Sequence, residues 1–310
     1  MTGSGSPPPA VITGCGLVCS LGFNVDTACA AMRGGLVRPS TMDTFLVGDI
    51  DDSGGALVHA APFITHGLEG DARLLRLMQS ALQDLLLQHP EAPWKDARTG
   101  FYLSIPDPDR VHTGHDLIAD DALREQEIDR YKQIQANRSA PVDVKDRAQQ
   151  LLQKSTKLAG WASPLKLQGV STSGHTGVAE LIELAWHDLE SEIVELAIVG
   201  GVDSWIDESS LLWLERRKRL KSPTMPVGLP PGEAAGFLLI ERDHRAKVRN
   251  ATPLAVLQSV TLEQETHPHI AAEASTGKAL AKVLSHSAEL AGWSPERPPW
   301  LVVDQNGETY

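Results

Sequence analysis

The chain has 310 residues, 42% of them hydrophobic and 22% charged, a composition ordinary for a globular protein and a length that can bury an ample core as one large α/β domain or as two fused halves. A formal net charge of −12 excludes non-specific binding to nucleic acid or to an anionic membrane surface. No apolar run approaches the ~20 residues that span a bilayer, and the opening MTGSGSPPPA lacks the basic start and apolar core of a signal peptide. Residues 1–10 therefore read as a flexible lead-in, and the expected location is cytoplasmic.

In chain order, Val11-Ile12-Thr13-Gly14-Cys15-Gly16 is an opening strand, and Asn24–Arg33 reads as a helix stopped by Gly34-Gly35. Residues 36–70 are loop-rich. Asp71–Gln88 is a helix with a broad apolar face of Leu74, Leu77, Met78, Leu82 and Leu85. Gly100–Ile105 then reads as a strand ended by Pro106. The three cysteines, Cys15, Cys19 and Cys29, all fall early, with no second cluster to complete a zinc site, and read as buried, inert thiols. No metal or cofactor is implied; His112 and His115, at i and i+3, have no third ligand by spacing.

From residue 107 to 153 the composition turns charged, with helices expected over Asp120–Gln135 and Val142–Lys154 around a break at Ser139-Ala140-Pro141. This section reads as a solvated insertion over the sheet. The next stretch organises the chain. Val170 leads into the small residues Ser171-Thr172-Ser173-Gly174, which suit a sharp strand-to-helix turn. From Thr176, Val178, Leu181, Ile182, Ala185 and Leu189 recur at helical spacing, and Glu180 lies off that stripe. Ile193–Val199 is a mostly apolar run stopping at Gly200-Gly201, the pattern of a strand covered on both faces. The turn thus sits at a strand's C-terminal end, where open α/β sheets place their chemistry.

Ser209–Leu220 is expected to be a helix ending in Arg216-Arg217-Lys218-Arg219. Cations at a helix C-terminus are favoured by the backbone dipole, and a docking patch for an acidic partner is the functional alternative. Beyond Arg242 the pattern restarts, with a strand at Leu254–Thr261, a helix at Ser275–Ala291 and a strand at Trp300–Asp304.

Three segments together resemble the β-ketoacyl synthases of the thiolase-like superfamily. Thr13-Gly14-Cys15-Gly16 with Ser20-Leu21-Gly22 is similar to the family's opening loop. Ser171-Thr172-Ser173-Gly174, followed by a helix and Gly200-Gly201-Val202-Asp203, is similar to its nucleophile turn and next strand. Pro231-Gly232-Glu233-Ala234-Ala235-Gly236 is similar to its "GEGAG" segment. The resemblance implies a thiolase-like layered α/β/α/β/α fold. Residues 11–242 would form the first half with its insertion at 107–153, which by the resemblance would lie near a substrate entrance and dimer contact as a lid or partner-docking surface, and residues 243–310 the start of a shortened second half. A half-built sheet would leave an edge and apolar surface for a partner to cover.

The resemblance also locates a departure. Where the family has its nucleophilic cysteine this chain has Ser171, and Asn306 occupies the position of the family's first catalytic histidine. A thiolate forms readily because the free thiol's pKa, about 8.5, falls further at a helix N-terminus, whereas a serine hydroxyl needs a general base. His175, four residues on, is the nearest in sequence. Two readings stay open. In one the chain is a degenerate ketosynthase-like scaffold, adaptor or dimer partner, in the setting of a bacterial secretion or biosynthetic gene cluster. In the other Ser171 and His175 make a serine-dependent acyltransferase or hydrolase on an acyl thioester. The family's dimer implies a homodimer through residues 167–171, and an acyl carrier protein is an implied partner.

Overall fold

A computed structural model describes residues 10–47, 54–95, 97–112, 121–137, 143–162, 164–267, 275–294, 296 and 298–303. A six-stranded mixed sheet forms its centre, built from β1 (Ala10–Cys19), β4 (Thr99–Ser104), β5 (Lys166–Ser171), β6 (Leu196–Ser204), β7 (Glu233–Arg242) and β8 (Ala255–Leu257), in the order β5-β4-β6-β7-β1-β8. β5, β4 and β6 run parallel, and β7, β1 and β8 are added antiparallel.

Strand alternation sends side chains to two covered faces. On one, Phe101, Leu103, Ile198 and Phe237 pack under α3 (Gly70–Gln88) and α5 (Val144–Ala159). On the other, Tyr102, Ala197, Val199 and Ile240 pack against Leu181, Ala185 and Leu189 of α6 (Gly177–Glu190). β6 is therefore covered on both faces, as its unbroken apolar run predicts. α3 lies so close to β1 that a Cβ on Gly16 would stand 2.2 Å from the Ala81 carbonyl oxygen, so only glycine fits there. α1 (Val25–Arg33) follows β1, its first turn capped by the Asn24 side chain.

Several expectations needed correcting. The loop-rich stretch contains a hairpin, β2 (Ser40–Val47) with β3 (Gly54–Val58), and a short α2 (Pro62–Thr65). The hairpin packs Val47, Ala56 and Val58 on Leu211, Trp213 and Leu214 of α7 (Glu208–Arg216), so its apolar residues serve a satellite core rather than the main sheet. In the charged section only α4 (Asp121–Asn137) matches the solvated expectation; α5 buries Ala148, Leu151, Leu152 and Ala159, a helical-spaced stripe of small and apolar residues, and belongs to the main core. α7 stops at Arg216 because Lys218 takes a positive φ of 53°, which ends helical geometry.

After α8 (Asp243–Val248), the strand expected over Leu254–Thr261 shrinks to the three residues of β8. Its pairing with β1 ends at Ile12, where β1 shifts register against β7, and such a bulge twists the edge away from a neighbour. α9 (Lys278–Ala291) is present but none of its residues is buried. Residues 300–303 form no strand, with Trp300 96% exposed: no strand runs beside them among the described residues to take their backbone hydrogen bonds. Asp304 and Asn306 lie outside the described residues, as do His115 and His269.

Candidate functional site at the strand ends

Parallel pairing brings the C-terminal ends of β5, β4 and β6 together: Ser104 is the register partner of Ser171 on one side and of Gly201 on the other. β5 then turns through Gly174, at φ +61°, into a 3₁₀ turn (Gly174–Thr176) and α6. Glycine serves at 174 because its left-handed backbone is disfavoured for other residues, and at 177 because space is short. A Cβ on Gly177 would lie 2.5 Å from Ser104 Oγ and 2.9 Å from Ser171 Oγ.

Ser171 is 8% exposed and its hydroxyl is engaged. It donates to Glu180 Oε2 at 2.7 Å and accepts from the Ser173 N–H at 3.1 Å. The base expected for it, His175, is not its hydrogen-bond partner. Glu180, in the first turn of α6, accepts that hydrogen bond instead, because the chain reverses between strand and helix and brings i+9 rather than i+4 alongside. The sequence carried a signal for this: an acidic residue off the apolar stripe, in the first helical turn, points toward the turn that precedes it.

A cleft of about 560 Å³ opens at these strand ends. It is lined by Ser104 at the end of β4, Ile105 after it, Gly201–Asp203 on β6, Thr172 and His175 on the turn, and Leu17 and Ala234–Gly236. His175 is exposed at this cleft, whereas Ser171 does not line it. Over the cleft, the Arg110 guanidinium stands 4.2 Å from the centre of the Trp205 ring and pairs with Asp203. Arg110 belongs to a 3₁₀ turn (Arg110–His112) inside the charged section. Ser104, Arg110 and Trp205 were not singled out from the sequence, since isolated residues at strand ends and in loops have no periodicity to betray them.

None of the three cysteines lines the cleft. Cys15 is half-buried on β1; burial, then the neighbouring Asp84, push its thiol pKa up, which keeps it protonated and poorly nucleophilic. Among the described residues no group of three His, Cys, Asp or Glu is arranged to hold a metal, and no helix is long and apolar enough to cross a membrane.

Beneath the cleft floor a buried carboxylate fixes β7 in place. Glu233, its side chain fully buried, accepts from the Ala61 N–H at 2.8 Å, Thr65 Oγ1 at 2.6 Å, Arg73 at 2.8 Å and Ser204 Oγ at 3.1 Å. It therefore ties β7 to α2, α3 and β6 at once. The basic run at the end of α7 is largely committed within the protein: Arg216 pairs with Glu127 of α4, and Arg217 and Arg219 lie 4.5 and 5.7 Å from the centre of the Trp213 ring.

No protein-family model matches the chain. Solved structures do. It is similar to the oxazolomycin ketosynthase domain OzmH KS7 of Streptomyces albus JA3453, at 14% identity and a TM-score of 0.60 over 97% of this chain and 55% of that one. It is also similar to the AntDE:AntF assembly, described as a type II PKS acyl-carrier protein in complex with its ketosynthase bound to the hexaketide. That match has 15% identity and a TM-score of 0.62 over 94% of this chain and 72% of that one. A third likeness is to the ishigamide ketosynthase/chain length factor, at 19% identity and a TM-score of 0.60 over 92% of this chain and 74% of that one. The chain thus spans about half the length of the first of these structures. At these identities the likeness is one of fold, and the fold is that of the ketosynthases in these structures.

Proposed function

We propose that this protein is a ketosynthase-fold chain without condensing activity, one that works as a scaffold or subunit through a protein partner. The observation that carries this reading is the state of Ser171. It stands at the strand-to-helix turn where the resemblance puts the family's cysteine, yet its hydroxyl is turned into a hydrogen bond with Glu180 and does not line the cleft. Condensation needs a thiolate that accepts an acyl group, and no cysteine of this chain reaches that cleft. The solved structures with this fold include one described as a ketosynthase with its acyl-carrier protein and one as a ketosynthase/chain length factor, both involving protein partners.

β5 is the natural surface for such a partner. It forms one edge of the sheet, pairing with β4 alone among the described residues, and an edge strand invites pairing with a second chain. A homodimer through residues 167–171 would continue the sheet across a two-fold axis. The run Arg216–Arg219 is a weaker docking surface for an acidic partner, because its arginines already serve Glu127 and Trp213.

A second reading rests on the Ser171–Glu180 hydrogen bond itself. A carboxylate 2.7 Å from a hydroxyl is placed to accept its proton, as an acyltransferase or hydrolase would need. Incubation with octanoyl-CoA and an octanoyl-acyl-carrier protein, read by intact mass, separates the two. The scaffold reading expects no covalent adduct; an adduct present in the wild type and lost in Ser171→Ala would overturn it. Sedimentation of the same protein tests the partner surface, with a dimer expected.

A further inference from the structure

α5 ends in a tight cap that sets a tryptophan beside its flank. Gly160, at φ +81°, turns the chain back, so that the backbone N–H of Trp161 donates to the Thr156 carbonyl at 2.9 Å and that of Gly160 to the Lys157 carbonyl at 3.3 Å. The Trp161 ring then stacks on Trp94, 4.2 Å between centres, and the residue is 7% exposed. Its indole N–H is buried and has no acceptor. An indole can only donate, and a buried donor without a partner is unfavourable, so this N–H favours a ligand that brings an acceptor to it.

Trp161 borders a groove of about 300 Å³ between α5 and the segment leading into β5, with no lining residue in common with the cleft at the strand ends. Gln149, Gln153 and Lys157 follow one another at four-residue steps along the α5 side of it, while Leu152, Pro164 and Leu165 give it apolar wall. No carboxylate lines the groove, and the Lys157 ammonium makes no ion pair among the described residues. That is unusual in a chain of net charge −12, where Arg73, Arg147, Arg216, Arg242 and Arg249 are all committed to carboxylates. We propose that this groove binds a small carboxylate with an apolar body. The Trp161 indole N–H and the Lys157 ammonium hold the carboxylate, with the two glutamine amides beside them, and the body lies on Leu152, Pro164 and Leu165. The volume is that of a small-molecule site, and the uncommitted cation selects an acid over a neutral or cationic ligand. This goes beyond the scaffold reading and is independent of it, since binding here requires neither acyl transfer by Ser171 nor any residue of the cleft.

The probe is 3-phenylpropanoate, titrated calorimetrically into wild type, Lys157→Met, Trp161→Phe and Ala162→Phe, with 3-phenylpropanamide as its uncharged counterpart and a thermal melt to establish that each variant is folded. Wild type is expected to bind the acid, and the amide more weakly. Lys157→Met should weaken binding of the acid about two- to fivefold, the worth of an exposed charge pair. Trp161→Phe keeps a ring on Trp94 and removes the N–H, and should weaken binding roughly ten- to a hundredfold, the loss of a buried hydrogen bond to a charged acceptor. Ala162 lines the groove and is exposed, so Ala162→Phe should fill the space without disturbing the core and abolish binding. The proposal is overturned by a folded wild type that does not bind the acid, by the amide binding as tightly as the acid, or by either Trp161→Phe or Ala162→Phe binding as wild type does. The comparison of acid with amide is made on wild type alone and decides the matter even where Trp161→Phe does not fold. An acyl adduct on Ser171 would be a separate result, bearing on the scaffold reading alone.

Discussion

Replacing Glu233 by Gln keeps the shape of the side chain and removes its charge. In the native protein four donors converge on the two carboxylate oxygens: the Ala61 N–H and Thr65 hydroxyl on one, Arg73 and the Ser204 hydroxyl on the other. An amide offers one oxygen and one NH₂, so either Arg73 or the Ala61 N–H must face a donor. The two hydroxyls can rotate to accept, but a guanidinium and a backbone N–H cannot. Arg73, whose side chain is only 12% exposed, also loses its ion pair. Removing one partner of a buried pair costs about 3–5 kcal/mol, a large share of the roughly 5–15 kcal/mol that holds a domain folded. With an unfolding entropy of about 2.1 cal/mol/K per residue, the 310-residue chain has about 0.65 kcal/mol/K, so Tm should fall by about 5–8 °C. Calorimetry on wild type, Glu233→Gln, Arg73→Met and the double variant measures this, and the double variant should lose less than the sum of the two singles. A Glu233→Gln protein melting within about 1 °C of wild type would refute the account of Glu233 as the tie between β7, the helices and β6.

Other outcomes follow from single contacts. Tyr102 is fully buried and donates to Asp188 Oδ2 at 2.6 Å; burial, then Asp188, push its phenol pKa well above the ordinary value. With the folded pKa raised, the unfolded chain loses this proton first, so the stabilisation is intact below about pH 10 and is lost as pH rises beyond it. Denaturant titrations from pH 8 to 11 should therefore show wild-type stability falling more steeply than that of Tyr102→Phe, which itself should cost about 1–3 kcal/mol at neutral pH by leaving Asp188 without its donor. Parallel slopes would count against a buried, neutral phenol. Gly16→Ala should destabilise by about 1–3 kcal/mol or more, because its Cβ meets the Ala81 backbone rather than a movable side chain, and chemical denaturation checks this. Cys15 should alkylate with iodoacetamide at pH 7 more slowly than an unstructured cysteine peptide, as burial and Asp84 oppose its thiolate; peptide mapping by mass reads the rate, and equal rates would contradict that placement.

The extent to which the sequence anticipates this structure varies with the range of the forces involved. The unit from β5 through α6 to β6 was legible because its signals are local: small residues at a turn, a 3.6-residue stripe, then an apolar run too continuous for a half-exposed strand. Two-sided burial of β6 follows from that run, with Ile198 and Val199 entering opposite cores. The hairpin β2–β3 was missed because its exposed and buried positions do not alternate cleanly, and its pairing shifts register between Met42 and Leu46. α5 was misplaced outside the core because its charged residues dominate the composition while the buried stripe is built largely from Ala, Ser and Thr.

The candidate site divides in the same way. Sequence alone determined where the turn lies, that Ser171 occupies it, and that no cysteine is near it in the chain, because these are statements about neighbours along one strand and helix. Only the tertiary structure decided which hydroxyl is held and which is presented: Ser171 reaches Glu180 because strand and helix fold back on each other, and Ser104 meets the cleft because β4 is inserted between β5 and β6. The same holds for Glu233, whose donors lie as many as 172 residues away. Periodicity reports which face of an element is apolar, but hydrogen bonds between distant segments depend on register and packing angle, and those are set only when the sheet and its helices close around one another.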